Sequence, residues 1–154
     1  MDTTKIQLIL ADDDQDDCFL FQMALEGLSV STALKVVHDG EQLMHYLTNI
    51  VGELPKVLFL DLNMPRKNGF ICLEEIKRDS KLKHLPVIIF STSYDENVAD
   101  LLYKNGAQHY ICKPADFAQL KIVIGRALEL ISKENISKPP KEKFLLSHLK
   151  AILL

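Results

Sequence analysis

Five short stretches of this chain are nearly continuous in apolar residues: Ile6 to Leu10, Ala33 to Val37, Val57 to Leu60, Val87 to Phe90 and Tyr110 to Cys112. Strands that are apolar throughout, rather than at every second residue, are covered on both faces. Longer segments with helical spacing lie between them. Asp16 to Leu28 places Phe19, Met23, Ala24 and Gly27 on one face, and Glu41 to Leu47 follows the turn pair Asp39-Gly40. Phe70 to Ile76 spaces Phe70, Leu73 and Ile76 three apart, and Glu96 to Tyr103 carries Val98, Leu101 and Leu102 before the stop signal Asn105-Gly106. Phe117 to Ile131 repeats Leu120, Val123, Ile124, Ala127 and Ile131. Strand and helix alternating in this way imply a parallel sheet with right-handed crossovers, an α/β three-layer sandwich. With five strands and five helices the expected order is 2-1-3-4-5, a flavodoxin-like arrangement in which strands 1 and 3 are neighbours.

Those two neighbouring strands end on acids. The first runs into Asp12-Asp13-Asp14, and the third into Asp61, followed by the turn sequence Leu62-Asn63-Met64-Pro65-Arg66-Lys67-Asn68-Gly69. A carboxylate at the edge of a core is costly without a partner, so two such strand ends suggest one shared cation. They also fall at the switch point where open α/β sheets bind ligands. Converging carboxylates repel one another, and one would stay protonated at neutral pH unless a cation entered. Mg²⁺ suits such a set, since it prefers oxygen, keeps waters and leaves positions open for phosphate oxygens. His38, His45, His84, His109 and His148 are scattered, without the spacing of a zinc site.

The fourth strand ends on Ser91-Thr92-Ser93 and the fifth on Lys113-Pro114. The rim thus gathers a carboxylate nucleophile, a metal-binding pair, a hydroxyl and an ammonium, an inventory suited to accepting and holding a phosphoryl group. At these residues the chain closely resembles the receiver domain of bacterial two-component response regulators, from about Lys5 to Ser132, with Asp12-Asp13, Asp61 to Pro65 with Gly69, Ser91-Thr92 and Lys113-Pro114 in order. The resemblance implies that Asp61 is the phosphoacceptor. It implies that Asp13, Asp61 and the main-chain carbonyl of Asn63 ligate Mg²⁺, with Asp12 holding metal-bound water, and that Ser91 and Lys113 contact the phosphoryl group. It further implies an aromatic switch at Tyr110, turning toward the core when phosphorylation draws Ser91 inward, and a cis Lys113-Pro114 bond. The surface of the first helix, with Asp16, Asp17, Phe19 and Leu20, resembles the face that docks a histidine kinase or phosphotransfer protein, but a solvated helix start is the cheaper account of the two acids. Thr92 stands where the family tends to have Ala or Gly, and with Asn63 and Ser93 it leaves the phosphoryl lifetime open.

The function implied is a stand-alone response regulator, a phosphorylation switch rather than a turnover enzyme, taking its phosphate from a sensor histidine kinase or phosphotransfer protein and acting on a downstream protein target. A haloacid-dehalogenase-type phosphohydrolase is the rival, but it needs an acid two residues after its nucleophile, and here Asn63 cannot donate that proton. A degenerate receiver is opposed by the complete acid, hydroxyl and lysine set.

The 154 residues suit one domain, expected over 5–132, with a C-terminal extension over 133–154. Phe144, Leu145, Leu149, Ile152 and Leu153 could line a short amphipathic helix there, either packed on its own domain or contacting a partner. Too few residues follow 132 for a DNA-binding module. Residues 1–132 hold 13 basic and 19 acidic groups, a balance of -6 that disfavours nucleic acid. Cys18, Cys72 and Cys112 read as reduced, partly buried thiols, and neither a membrane span nor a signal peptide is evident. The expectation is a cytoplasmic monomer or weak homodimer.

Overall fold

The structure, a computed structural model, describes residues 5–134 and 138–147. Its elements alternate: β1 (Ile6–Ala11), α1 (Gln15–Glu26), β2 (Thr32–Val37), α2 (Gly40–Thr48), β3 (Val57–Leu60), α3 (Gly69–Arg78), β4 (Val87–Ser91), α4 (Glu96–Lys104), β5 (His109–Cys112), α5 (Phe117–Glu134) and β6 (Leu145–Leu146), the last preceded by a 3-10 turn at Lys141–Lys143. The first five strands and the five helices fall where the apolar runs and helical spacings place them. The sheet is wholly parallel, and its order β2-β1-β3-β4-β5-β6 contains the expected 2-1-3-4-5.

Each central strand feeds two cores by simple alternation. Ile9, Ala11, Leu58, Leu60, Val87 and Ile89 face α2, α3 and α4, whereas Leu8, Leu10, Val57, Phe59, Ile88, Phe90 and Ile111 face α1 and α5. On the second side Phe21, Phe59 and Phe90 meet edge to face, with centroids 4.9 to 6.3 Å apart. The continuous apolar reading of β1, β3 and β4 is therefore correct, and its cause is helices on both faces.

Local polar groups set the helix starts. Asp14, Asp39, Asn68 and Asp95 cap α1, α2, α3 and α4, each accepting from a backbone N–H of the first turn. The spacing in α1, however, points to the wrong face. Cys18, Phe21, Ala24 and Leu25 are the buried residues, while Phe19 and Met23 are exposed. Cys18, Phe21, Ala24 and Leu25 line the core shared with the sheet and α5, where Phe21 meets Phe59 and Phe90, and with apolar residues on both sides of the helix the periodicity alone did not choose between them.

The extension departs more clearly from expectation. Phe144, Leu145 and Leu146 form no amphipathic helix; they lead into and form a sixth strand, parallel to β5, in which the Tyr110 N–H donates to the Phe144 carbonyl at 3.0 Å. Alternation explains the choice, because Phe144 joins the α2–α4 core and Leu146 the α1/α5 core, which a single helical face could not do. The strand also covers the backbone groups that β5 would otherwise present at an open edge. The segment is moored by a Tyr103 hydroxyl donating to the Pro139 carbonyl at 2.8 Å and by a Lys141–Asp100 ion pair at 2.8 Å. Leu149, Ile152 and Leu153, the other residues of the expected helix, lie outside the described residues. Among the described residues no helix is long and apolar enough to cross a membrane.

Candidate functional site

The register brings the acids together. β1 and β3 pair Ala11 with Leu60, and the ladder continues one step as the Asp61 N–H donates to the Ala11 carbonyl at 2.9 Å. Asp12 and Asp61 thus leave the sheet side by side. Asp12, Asp13 and Asp61 each present a carboxylate oxygen, and the three oxygens lie within 4.8 Å of one another. Asp12 is wholly buried and Asp61 nearly so, while Asp13 is open to solvent. The loop after β3 is shaped to hold Asp61 there. Leu62 and Met64 are buried, the Gly69 N–H donates to the Leu62 carbonyl at 2.9 Å, and a Cβ on Gly69 would fall on the Asp61 carbonyl oxygen. Arg66 turns the loop with a φ of 67°.

Lys113 closes the site from β5. Its backbone N–H donates to the Ser91 carbonyl at 2.8 Å, and its ammonium lies 2.7 Å from Asp12 Oδ2, 2.9 Å from Asp17 Oδ2 and 4.0 Å from Asp61 Oδ2. The Lys113-Pro114 bond is trans, not cis as the resemblance implied. The pull of Asp12 and Asp17 on the ammonium suffices to bring the side chain inward, and trans is the cheaper form of an X-Pro bond. Ser91 is buried at the same rim, with Ser93 N–H 3.5 Å from its Oγ. All the site residues singled out from the sequence share this end of the sheet except Tyr110, which lies deeper in β5.

Tyr110 is the aromatic residue of the expected switch. Its ring is already in the core, edge-on to Tyr94 at 5.4 Å and Phe144 at 6.3 Å, and its hydroxyl donates to the Ser93 carbonyl. Phe144 covers the ring from the β6 side, and the Ser91 side chain hydrogen-bonds at the hydroxyl end. The thiols differ from expectation at one place: Cys18 and Cys72 are buried, but Cys112 is exposed. Burial pushes the Cys18 thiol up to about 12 and the Cys72 thiol up to about 11, so neither favours a reactive thiolate.

The electrostatics follow from burial. Burial, with the charges of Asp12 and Asp13 adding to it and Lys113 opposing, pushes Asp61 up to about 6. Asp12 is raised too, chiefly by burial, against the hydrogen bonds from Lys113 and the Asp14 N–H. For Lys113 burial pulls downward, but the bonds to Asp12 and Asp17 and the nearby negative charge outweigh it and hold the ammonium above the usual lysine range. A rim of oxygen donors that resist ionisation together is the donor set a hard divalent cation would relieve, so the residues fit such an ion. The profile of the response regulator receiver domain matches residues 8–125 of this chain.

The chain belongs to the response regulator receiver family. The response regulator Rcp1 of Synechocystis sp. is 32% identical over 124 residues, 77% of this chain and 84% of that protein. A crystal structure of the phosphorylated cyanobacterial phytochrome response regulator RcpA, 32% identical, superposes with a TM-score of 0.75 over 88% of this chain and 99% of its own. The Mn²⁺-bound form of Rcp1, 27% identical, superposes with a TM-score of 0.72 over 87% and 99%. Receivers bind a divalent metal at an acidic pocket and accept phosphate from histidine kinases or phosphotransfer proteins.

Two residues of this receiver's site escaped the sequence reading. Asp17, read as kinase-facing or simply solvated, reaches Lys113, and the His38 Nδ1 lies 3.1 Å from the Asp12 carbonyl oxygen. The only signal for Asp17 was its place in the acid-rich run Asp12 to Asp17, one helical turn after Asp13. Nothing marked His38, whose contact depends on β2 lying beside β1.

Proposed function

We propose that Asp61 accepts a phosphoryl group from a phosphohistidine of a sensor kinase or phosphotransfer protein, in a Mg²⁺-dependent reaction, and that the chain then signals through a changed protein-binding face. One observation carries the reading: the oxygens of Asp12, Asp13 and Asp61 lie within 4.8 Å of one another, with the Lys113 ammonium beside them. Asp13, Asp61 and the Asn63 carbonyl would hold Mg²⁺ directly and Asp12 through water; the ion supplies charge neutralisation for the anionic carboxylates and the incoming phosphate oxygens. Asp61 forms the bond to phosphorus as the bond to the donor nitrogen breaks, and the departing imidazole keeps that electron pair. Ser91 donates to a phosphoryl oxygen and Lys113 pairs with another. Asn63, Thr92 and Ser93 flank the group and set its lifetime.

Ser91 and Tyr110 form the switch: movement of Ser91 toward the phosphoryl group would act on the Tyr110 hydroxyl, which hydrogen-bonds the Ser93 carbonyl and the Ser91 side chain. The chain is a switch with slow self-dephosphorylation rather than a turnover enzyme, working in the cytoplasm as a monomer or weak homodimer, without nucleic acid.

Incubation with Mg²⁺ and acetyl phosphate tests the reading. One base-labile phosphoryl group per chain is expected, abolished in Asp61→Asn and in the presence of a chelator. Sustained turnover of phosphomonoesters would favour a phosphohydrolase instead, and no adduct at all a degenerate receiver.

A further inference from the structure

The Lys113 ammonium has three acids within reach and does not sit on the one that is to carry the phosphoryl group. It lies at hydrogen-bond distance from Asp12 Oδ2 and Asp17 Oδ2, at 2.7 and 2.9 Å, and stands off Asp61 Oδ2 at 4.0 Å. Asp12 belongs to the set of carboxylates able to share a cation, whereas Asp17 does not. Asp17 has a different footing. It lies in the first turn of α1, whose entry is set by the Asp14 carboxylate accepting its backbone N–H at 3.0 Å, and this directs its side chain over the rim. The Lys113 side chain is 8% exposed and that of Asp17 29%, so the pair is sheltered more than a surface contact and less than a core one.

We propose that Asp17 is a positioning residue for Lys113: by sharing the ammonium with Asp12 it holds the charge on the α1 side of the pocket, away from Asp61, until a phosphoryl group outbids it. Two consequences follow from charge balance. While Asp61 is bare, an ammonium drawn aside leaves its carboxylate freer to meet a divalent cation, because a lysine seated on Asp61 would repel that cation. Once Asp61 carries a phosphoryl group, with its additional negative charge and three acceptor oxygens, the ammonium must leave Asp17 to pair with it, and the lost Asp17 contact is subtracted from the stability of the phosphorylated state. Asp17 thereby favours loading with the metal and disfavours persistence of the phosphate.

The inference rests on the receiver reading, and the test separates the two. Binding of beryllofluoride, a mimic of the phosphoryl group, is measured by titration calorimetry at saturating Mg²⁺, with binding of Mg²⁺ alone measured in parallel. Asp17→Asn is expected to tighten beryllofluoride about five-fold, the scale of a partly sheltered ion pair, while weakening Mg²⁺. General damage to the fold would weaken both. Asp17→Glu, which keeps the charge, should stay within two-fold of the wild type for both ligands. In a Lys113→Ala background Asp17→Asn should leave beryllofluoride affinity within two-fold, since no ammonium remains to be held. Unchanged or weaker beryllofluoride binding in Asp17→Asn, or tightening that persists without Lys113, overturns the proposal and leaves the receiver reading intact. A wild type that binds no beryllofluoride and forms no Asp61 adduct overturns both.

Discussion

At the carboxyl-end rim, Asp12, Asp61 and Lys113 keep charge out of water; along the outer edge of β5, Phe144, Leu145 and Leu146 keep apolar surface out of water. Both regions depend on the same strand, which contributes Tyr110 to the edge and leads directly into Lys113 at the rim. At the rim, burial raises Asp61 toward neutrality, so the fold carries a charge it would be more stable without. At the edge, burial works with the chain, closing an exposed sheet edge and packing Phe144 against Tyr103 and Tyr110. The difference teaches where this molecule spends stability on chemistry and where it recovers it.

The contrast breaks most visibly at Phe144. Phe144→Ala removes a ring that is almost wholly buried between two tyrosines and should lower stability by about 3 kcal/mol in urea unfolding. A loss under 1 kcal/mol would mean that β6 is not an integral strand.

The rim should answer with the opposite sign. The Asp61 carboxyl titrates near the ordinary aspartate value of 3.8 when unfolded, and burial pushes it up to about 6 in the metal-free fold. Between those values the folded protein keeps a proton that the unfolded chain has released, so stability falls as pH rises through this window and stays lowered above it. Asp61→Asn, which cannot ionise, should therefore be about 2 kcal/mol more stable than the wild type at pH 8 without divalent cations, and no more stable below about pH 4. Thermal melts across that range check it; an asparagine variant less stable at pH 8 would show that the rim acids are not strained.

The smallest effect separates packing from charge at the edge itself. Lys141 pairs with Asp100 at the surface, with side chains 59% and 34% exposed. Lys141→Ala should leave the urea midpoint unmoved within error while Phe144→Ala shifts it, because exposed ion pairs are screened and lose side-chain freedom on forming.

Asp61, Ser91 and Lys113 were legible because each directly follows or ends an apolar run, and in a parallel sheet the ends of strands converge wherever the strand order is that of this fold. The buried face of α1 was not. Phe19, Leu20 and Met23 are as apolar as Cys18, Phe21 and Leu25, and only the position of the sheet and α5 decides which side is covered. Asp17 looked like an ordinary acid at a helix start, which it also is. The final strand was read as a helix because Phe144, Leu145 and the later leucines fit both periods over so short a segment.

The alternation of apolar runs with helical segments, and the acids placed at the ends of two of those runs, determined the α/β architecture and the location of its reactive rim, because hydrophobic periodicity and the cost of burying charge are properties of local sequence. Tertiary structure alone decided that Lys113 rests on Asp12 and Asp17 rather than on Asp61, that Tyr110 is held inward under Phe144, and that the chain after α5 returns as a sixth strand. Those outcomes turn on which charges and which apolar surfaces come within a few ångströms although they are tens of residues apart in the chain, a competition that no local pattern records.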